Sequence, residues 1–303
     1  MVTAQGDEKN RLLGPRRALR NLVRLARPRD WTKSAFIALP VPFAWVAGAR
    51  LEPAVFLLGV VGFSLLASGV YAVNDVLDVE RDRLHPLKHQ RPVAAGTISP
   101  AAALLFSAVL CSVGIAALLG TRREGAVSIG IAYLALNAGY SLGWKHVPLV
   151  DVFVLSSGFV LRVLLGCALV AVLPSSWLML CSSALALLMA LGKRRGELTA
   201  SHATEHRPSL AGYDRAFLDL AMSVLAATAL VGYSLYSIEA NVLVAGREFT
   251  TVPFVWFGVL EYLRLSIVEG RGGSPIDAIF QSRALLATAV GWLVATAWSV
   301  GLF

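Results

Sequence analysis

Nine apolar segments divide this chain, and several of them approach the roughly 20 residues that an α-helix needs to span the hydrocarbon core of a bilayer. The segments cover residues 34–50, 54–74, 101–120, 125–143, 148–170, 175–192, 217–237, 251–268 and 283–302. Backbone polar groups in lipid must find their hydrogen bonds within the protein, which favours helices for segments of this length. We therefore expect an all-α polytopic membrane protein, a bundle of nine transmembrane helices in contact with the lipid bilayer.

Composition supports this class. Of 303 residues, 56% are apolar and only 15% are charged, and the mean hydropathy is +0.67. A chain this apolar is not typical of a soluble two-domain protein. The three cysteines, Cys111, Cys167 and Cys181, all lie within apolar segments and without metal-ligand spacing, so they predict buried apolar packing and no disulfide framework.

Lysine and arginine are distributed unevenly among the loops. With a cytoplasmic N-terminus, 22 of the 27 basic residues fall in cytoplasmic segments, four fall in outside loops, and Arg162 lies within a span. Because such an excess marks the cytoplasmic side, we expect a multi-pass protein of the inner (plasma) membrane with its N-terminus inside and its C-terminus outside. The net charge of +8 then reports topology, and we expect no nucleic-acid binding.

We divide the chain into two parts. Residues 1–30 are predicted to form a basic cytoplasmic N-terminal arm on anionic lipid, without the features of a cleaved secretory signal. Residues 31–303 are predicted to form a single transmembrane domain of nine helices.

An acidic motif ends the second apolar segment. On a continuous helix, Asn74, Asp75, Asp78 and Asp82 would share one face at a membrane boundary. Converging carboxylates repel one another unless a cation lies among them, and oxygen ligands at this spacing suit Mg²⁺ that carries a phosphorylated ligand. The alternative is a solvated acidic helix end with its charges in headgroup water.

Basic side chains lie beside this motif on the cytoplasmic side. Arg83, Lys88 and Arg91 follow it directly, where anion binding is favoured over ordinary topology charge. Lys33 precedes the first span and either reaches a phosphate or belongs to a collar at the membrane entry.

Two further positions follow the same logic. Tyr140 and Lys145 end span four on the cytoplasmic side, where they either line a cavity or belong to the interfacial belt. Arg162 lies about three turns inside span five, where a guanidinium is too costly to face lipid. It must therefore face a wet cavity or pair with a neighbouring helix.

Span six closes with Lys193, Arg194 and Glu197, which share one helix face. Basic clusters at cytoplasmic helix ends are common, so the motif gains meaning from its position, equivalent to that of the aspartates after span two. The polar loop that follows, up to Arg215, is long enough to cap a site between the two motifs.

The aspartate motif, at the end of a second span in a nine-span chain, resembles that of UbiA-type intramembrane prenyltransferases. This resemblance implies a nine-helix bundle with a cytoplasm-facing cavity in which the aspartates hold Mg²⁺ against a diphosphate. Typical members carry a second motif, Asp-x-x-x-Asp, after span six. This chain has Lys193-Arg194-Arg195-Gly196-Glu197 there instead.

A wider pattern is similar to the family members that transfer a 5-phosphoribosyl group from phosphoribosyl pyrophosphate (PRPP) to polyprenyl (decaprenyl) phosphate, which supplies a precursor of cell-wall arabinan. The pattern includes Arg27-Pro28, Trp31, Lys33, Tyr71, the motif through Asp82-Arg83, His85-Pro86, Lys88, Arg91-Pro92, Lys145-His146, Arg162, Gly192-Lys193-Arg194 and Glu197-Leu198. Ser34, Arg195 and Gly196 depart from it, since we expect Asn, Tyr and Ala there.

The resemblance implies PRPP and polyprenyl phosphate as substrates and Mg²⁺ as cofactor. Asp75 and Asp78 are implied as catalytic metal ligands, with Asp82 binding a second Mg²⁺ or the ribose hydroxyls. The implied substrate-binding residues are Lys33, Asn74, Arg83, Lys88, Arg91, Tyr140, Lys145, Arg162, Lys193, Arg194 and Glu197.

Two alternatives stay open at this point. One is an ordinary UbiA-type reaction, in which a prenyl diphosphate alkylates an aromatic or other small acceptor. The other is a secondary transporter or lipid flippase that uses the acids and Arg162 as a relay, although acids at one boundary and not at the midplane disfavour it. Whether the chain forms a homo-oligomer is also left open.

Overall fold

The computed structural model describes residues 15–199, 208–240, 243–270 and 282–302, and these residues form helices and connecting turns without a β-strand. The helices in chain order are α1 (Pro15–Ala26), α2 (Val41–Val46), α3 (Pro53–Leu77), α4 (Val79–Leu84), α5 (Pro100–Gly120), α6 (Ala126–Leu142), α7 (Val150–Leu169), α8 (Ser176–Thr199), α9 (Arg215–Glu239), α10 (Val252–Ile267) and α11 (Arg283–Ser299). Segments of 3-10 helix occupy Pro28–Ala38, Lys88–Gln90, Trp144–His146 and Pro208–Gly212. The predicted all-α fold is confirmed for the described residues.

Helices α3, α5, α7, α8 and α9 are long and apolar enough to cross a membrane, with 20 to 25 residues each. Their surfaces expose large apolar side chains, among them Leu57, Leu105 and Leu220. A helix that is apolar on its exposed face as well as its buried one is typical of a membrane span. The chain is a multi-pass membrane protein, as the apolar segments predict.

The first predicted span, residues 34–50, is not one helix. The chain runs through the 3-10 segment Pro28–Ala38 and then through the short helix α2. Two prolines, Pro40 and Pro42, explain the break, because each lacks the amide proton that an α-helix needs. Hydropathy locates this segment correctly but does not register the interruption.

The predicted continuous helix through the acidic motif is also wrong. Helix α3 ends at Leu77, and Asp78 has φ −97° and ψ 9° before α4 begins at Val79. The amide of Asp78 still donates to the carbonyl of Asn74 at 2.9 Å. The chain therefore turns at Asp78 without losing its helical hydrogen bonds. As a result, the Asp78 carboxylate does not share a helix face with the carboxylates of Asp75 and Asp82.

Small residues bring α3 and α5 into close contact. A Cβ on Gly114 would lie 2.8 Å from the carbonyl oxygen of Gly62. About two turns further along, the hydroxyl of Ser107 donates to the carbonyl of Gly69 at 2.8 Å. Close backbone approach of this kind, with an interhelical hydrogen bond, replaces the hydrophobic effect as the packing force in lipid. It fixes the end of α3, where the aspartates lie.

Helix α8 extends past its predicted end at residue 192 and continues to Thr199, so it carries the whole basic motif. Arg195 holds this extension in place. Its guanidinium pairs with Asp219 of α9 and donates to the carbonyl of Ser266 on α10 at 2.8 Å. The side chain that departs from the family pattern thus connects three helices.

Candidate active site

Asp75 and Asp82 are buried, with 1% and 3% of their surface exposed. One guanidinium connects them, because Nη1 of Arg91 lies 2.6 Å from Asp82 Oδ2 and 3.3 Å from Asp75 Oδ1. Arg27 forms a second ion pair with Asp75. Two carboxylates from consecutive helices therefore face one shared point, as a polyvalent cation would require.

Asp78 faces a different partner. Its Oδ1 lies 2.7 Å from Nζ of Lys145, in the 3-10 segment Trp144–His146 that follows α6. The hydroxyl of Ser141, near the end of α6, donates to Oδ1 of Asn74 at 2.7 Å. Burial and the positive charge of neighbouring Lys145 lower the pKa of His146, which keeps its imidazole neutral at neutral pH. The structure thus joins Asn74, Asp78 and Lys145 on one side of the acidic motif.

The residues at this point fit a magnesium ion. Oδ2 of Asp75 is buried and has no hydrogen-bond partner among the described residues, so one hard oxygen ligand is already desolvated and available. The described residues contain no group of three or more His, Cys, Asp or Glu side chains at metal spacing. Mg²⁺ is commonly held by one or two carboxylates plus the phosphates of a substrate, which is what Asp75 and Asp82 can offer.

Lys33 lies against α3, beside the side chains of Asp30 and Tyr71. Its ammonium group donates to Asp30 at 2.6 Å and to the hydroxyl of Tyr71 at 3.1 Å. Tyr71 is one turn before Asp75 on α3, and the guanidinium of Arg27 lies over its ring at 5.1 Å. The 3-10 segment therefore places the ammonium group of Lys33 beside the face of α3 that carries the aspartates.

Arg162 is almost fully buried, with 4% of its surface exposed. Its guanidinium lies 5.0, 5.3 and 5.8 Å from the ring centroids of Phe63, Tyr133 and Phe159. Nη1 donates to the carbonyl of Gly158 at 2.6 Å, and Nε has no partner. Among the described residues no carboxylate pairs with it, so the structural ion pair considered from the sequence is not formed there.

The basic motif lies across from the acidic one. Arg194 is fully buried, and its guanidinium contacts Asp151 at 2.6 Å, Glu197 at 2.5 Å and the hydroxyl of Tyr140 at 3.4 Å. Lys193 is repelled by Arg194, Lys33 and Lys88 and attracted by Glu197. The three cations raise the free energy of charged Lys193, and a bound anion would relieve this repulsion.

Two predicted substrate-binding residues lie outside this group or at its edge. Arg83 is exposed and pairs with Glu80 at 2.8 Å, three residues earlier on α4. Lys88 is also exposed in its short 3-10 segment, although it is close enough to act electrostatically on Lys193. Exposed ion pairs of this kind contribute little free energy.

An apolar cavity of about 700 Å³ begins one turn away from the cations. Phe36, three residues after Lys33, and Met189, one turn before Lys193, belong to its wall. Helices α7 to α11 supply most of the remaining lining, including Cys167, Leu188, Tyr236, Val259 and Trp292. A polar headgroup could lie among the charged residues while its hydrocarbon chain enters this cavity.

Several residues at the site escape prediction from the sequence. Arg27 reads as one more topology charge, and Tyr71 and Ser141 read as ordinary helix residues near an interface. Asp151 resembles the acid that many helices carry in their first turn. The signal that could have found Asp151 is the pairing of a membrane-boundary acid with the boundary arginine Arg194.

Comparison with known proteins places these features in a family. The sequence model of the UbiA prenyltransferase family matches residues 34–264. The decaprenyl-phosphate phosphoribosyltransferase of Corynebacterium glutamicum is 31% identical over 96% of this chain and 90% of its own length. The enzyme of the same name from Mycobacterium tuberculosis is 31% identical over 92% of this chain and 94% of its own length.

Solved structures agree on the fold. A UbiA homolog from Archaeoglobus fulgidus, bound to GPP and Mg²⁺, superposes with a TM-score of 0.68. The match covers 92% of this chain and 98% of the homolog at 17% sequence identity.

Proposed function

The chain belongs to the UbiA prenyltransferase family, and from this premise we propose that it transfers the 5-phosphoribosyl group of PRPP to a polyprenyl phosphate and releases pyrophosphate. The names of its full-length relatives, decaprenyl-phosphate phosphoribosyltransferases, support this assignment. The reaction makes it a glycosyltransferase of the pentosyl class. Its product is a lipid-linked ribose phosphate of the kind required for cell-wall arabinan.

One observation supports the phosphoribosyl donor above all. Where a typical member has a second acidic motif, this chain places Lys193, Arg194 and Glu197 at the buried end of α8. A second set of acids suits a second metal, whereas cations suit a bare phosphate. PRPP differs from a prenyl diphosphate in carrying such a phosphate at its 5-position. The cations nearest to hand are Lys193, Lys33, which now pairs with Asp30, and Arg162, which has no carboxylate partner among the described residues.

The diphosphate end of PRPP belongs at the acidic motif. Asp75 and Asp82 would hold Mg²⁺ with the diphosphate oxygens, and Asp78 would complete the site from the turn between α3 and α4. Bound Mg²⁺ stabilises the negative charge that builds up on pyrophosphate as it leaves. Arg91 and Arg27, which contact these acids, lie where they can bind the same phosphates. Asn74 and Lys145 orient the acidic side chains.

The acceptor needs no general base. The second pKa of a phosphate monoester is about 6, so the polyprenyl phosphate is already a dianionic nucleophile at neutral pH. The bond from ribose C1 to the pyrophosphate oxygen breaks, and pyrophosphate leaves with the electron pair. A bond forms from C1 to an acceptor phosphate oxygen. The apolar cavity that begins at Phe36 and Met189 receives the first isoprene units of the acceptor.

The same proposal includes the topology. We assign a basic N-terminal arm at residues 1–30 and a single domain of nine spans at residues 31–303, in the plasma membrane with the N-terminus in the cytoplasm. The acidic and basic motifs then both open toward the cytoplasm, where PRPP is soluble. The excess of lysine and arginine in the corresponding loops supports this orientation.

The test is a transfer assay with purified protein in lipid nanodiscs. PRPP labelled in the ribose, polyprenyl phosphate and Mg²⁺ are expected to yield a labelled lipid phosphate and free pyrophosphate, and EDTA is expected to stop the reaction. A parallel reaction replaces PRPP with a prenyl diphosphate and an aromatic acceptor. Turnover in the parallel reaction alone would show that the chain is an ordinary prenyltransferase.

A further inference from the structure

Asp151, in the first turn of α7, connects two parts of the site. Both of its carboxylate oxygens are used, and its surface is fully buried. Oδ2 contacts Nε of Arg194 at 2.6 Å and the hydroxyl of Ser209 at 3.0 Å. Oδ1 accepts a hydrogen bond from the hydroxyl of Tyr213 at 2.7 Å. One carboxylate therefore joins the basic motif to the segment that follows it, residues 208–213.

Tyr213 also holds the start of α7. Its hydroxyl accepts a hydrogen bond from the amide of Leu149 at 2.6 Å. Leu149 has φ 65°, a left-handed conformation that is strained for a residue with a branched side chain. Burial and the hydrogen bond to Asp151 raise the pKa of Tyr213, so its hydroxyl keeps its proton at neutral pH. Tyr213 therefore maintains the strained turn at Leu149 and, through the same hydroxyl, orients Asp151.

Residues 208–213 are held in place by apolar packing as well as by hydrogen bonds. Leu210 and Tyr213 are 2% and 7% exposed and belong to the core formed with α8, α9 and α10. A Cβ on Gly212 would lie 2.3 Å from Cγ of Pro148. The segment therefore fits directly against the turn that precedes α7, and no side chain is tolerated at the contact.

Arg194 is fully buried, and each of its three guanidinium nitrogens already has a protein oxygen within 3.4 Å. Asp151, Glu197 and Tyr140 take one contact each from Nε, Nη1 and Nη2. Among the described residues, the neighbouring Lys193 forms no hydrogen bond or ion pair; Glu197 attracts it, and Arg194, Lys33 and Lys88 repel it. The two basic residues of the motif are therefore not equivalent.

We propose that Asp151 is a positioning residue for the phosphoribosyl donor: it fixes Arg194 as a structural cation and docks residues 208–213, so that Lys193 alone of the pair presents its charge to the donor phosphate. This inference rests on the proposed function for the identity of the donor. The docking of residues 208–213 does not depend on it.

The experiment compares Asp151→Asn with Asp219→Asn in the full-length protein in nanodiscs. Asp219 pairs with Arg195, the next residue of α8, so the control makes the same change against an adjacent arginine without contacting residues 208–213. For Asp151→Asn we expect the KM for PRPP to rise about tenfold, the effect of leaving one buried hydrogen-bonded charge imperfectly paired, with kcat within about threefold of wild type. For Asp219→Asn we expect wild-type values.

Hydrogen exchange of the peptide covering residues 208–213, without any substrate, is the second readout. Asp151→Asn and Tyr213→Phe are both expected to accelerate it, and Asp219→Asn is not. Tyr213→Phe leaves the Asp151–Arg194 pair intact, so it tests the docking even if Asp151→Asn does not fold.

Three outcomes are informative. A wild-type KM with wild-type exchange in Asp151→Asn would overturn the inference, as would equal losses of thermal stability in both asparagine variants with KM unchanged. Accelerated exchange in a protein that transfers no phosphoribose would support the docking and overturn the proposed function.

Discussion

Arg162 is a buried cation whose cost to the fold is not offset by the contacts of the described residues. Moving a guanidinium from water into the protein interior costs several kcal/mol of free energy. Desolvated cation–π contacts with the aromatic rings recover about 2 kcal/mol or somewhat more. No carboxylate of the described residues offsets the rest. A buried cation retained under these conditions is best explained by an anionic ligand.

We therefore expect Arg162→Met to separate stability from activity. The melting temperature should stay equal or rise, because an uncompensated buried charge is replaced by an apolar side chain. The kcat/KM for PRPP should fall roughly 100-fold, since the phosphate loses a charged partner. The matched variant is Arg195→Met, whose arginine pairs with Asp219 and whose loss should lower the melting temperature. A destabilised Arg162→Met with full activity would assign Arg162 a structural role.

The aspartates of the motif allow an equally sharp test. Asp75→Asn should reduce kcat/KM roughly 100-fold or more, because a ligand of the ion that stabilises the leaving group is removed. Glu80→Gln, in the same motif but exposed and paired only with Arg83 among the ion pairs described, should behave as wild type. Steady-state transfer kinetics over a range of Mg²⁺ concentrations measure both. Wild-type rates for Asp75→Asn at low Mg²⁺ would exclude the metal assignment.

Lys193 should act on binding more than on turnover. In Lys193→Ala we expect the KM for PRPP to rise about tenfold, the effect of one lost charge-assisted hydrogen bond to a phosphate. Arg215→Ala, at the exposed start of α9, removes an equal charge on the same side of the protein and should leave KM unchanged. An equal rise in both variants would indicate a general electrostatic attraction.

At the scale of elements, hydropathy predicts the long helices within a few residues, and it fails where local chemistry overrides it. Pro40 and Pro42 interrupt the first apolar segment, which hydropathy cannot register because proline is scored only for its polarity. Asp78 breaks the motif helix, since aspartate competes for backbone hydrogen bonds and favours helix ends. Conversely, α8 continues through a charged sequence to Thr199 because Arg195 finds partners on α9 and α10.

The interrupted entry segment is positioned by packing. A Cβ on Gly166 of α7 would lie 2.1 Å from the backbone oxygen of Ile37, so the 3-10 segment that carries Lys33 rests directly on this glycine. Gly166→Ala should cost about 1–3 kcal/mol of stability as α7 and the segment separate. Gly120→Ala, where the nearest atom would be 3.4 Å away, should be tolerated. Thermal unfolding in one detergent compares the two, and equal melting temperatures would contradict the packing role.

For the whole molecule, the sequence predicts the acidic and basic motifs as two halves of one site, but not the contacts that join the basic motif to residues 208–213. The joining residues, Asp151 and Tyr213, are single polar positions near helix ends, and their roles arise from contacts between segments 62 residues apart. Contacts between such distant segments leave no recognisable pattern in the local sequence. Arg27 was separable from the ordinary topology charges only after the chain was folded.

The topology predicts the side on which each loop is found. Single cysteines placed at residue 124, in the turn after α5, should react with an impermeant thiol reagent from outside intact cells, in a variant that lacks the native cysteines. A cysteine at residue 87, beside the acidic motif, should react only after the membrane is permeabilised. The reverse labelling pattern would mean that the site faces the outside of the cell, where cytoplasmic PRPP cannot reach it.

The guanidinium shared by Asp75 and Asp82 has a consequence for how the protein is made. Because Arg91 and Arg27 already balance the acids, insertion and folding do not have to wait for a divalent ion. A chelator should therefore abolish transfer activity without changing the melting temperature. Adding the divalent ion back should restore turnover without a delay for refolding.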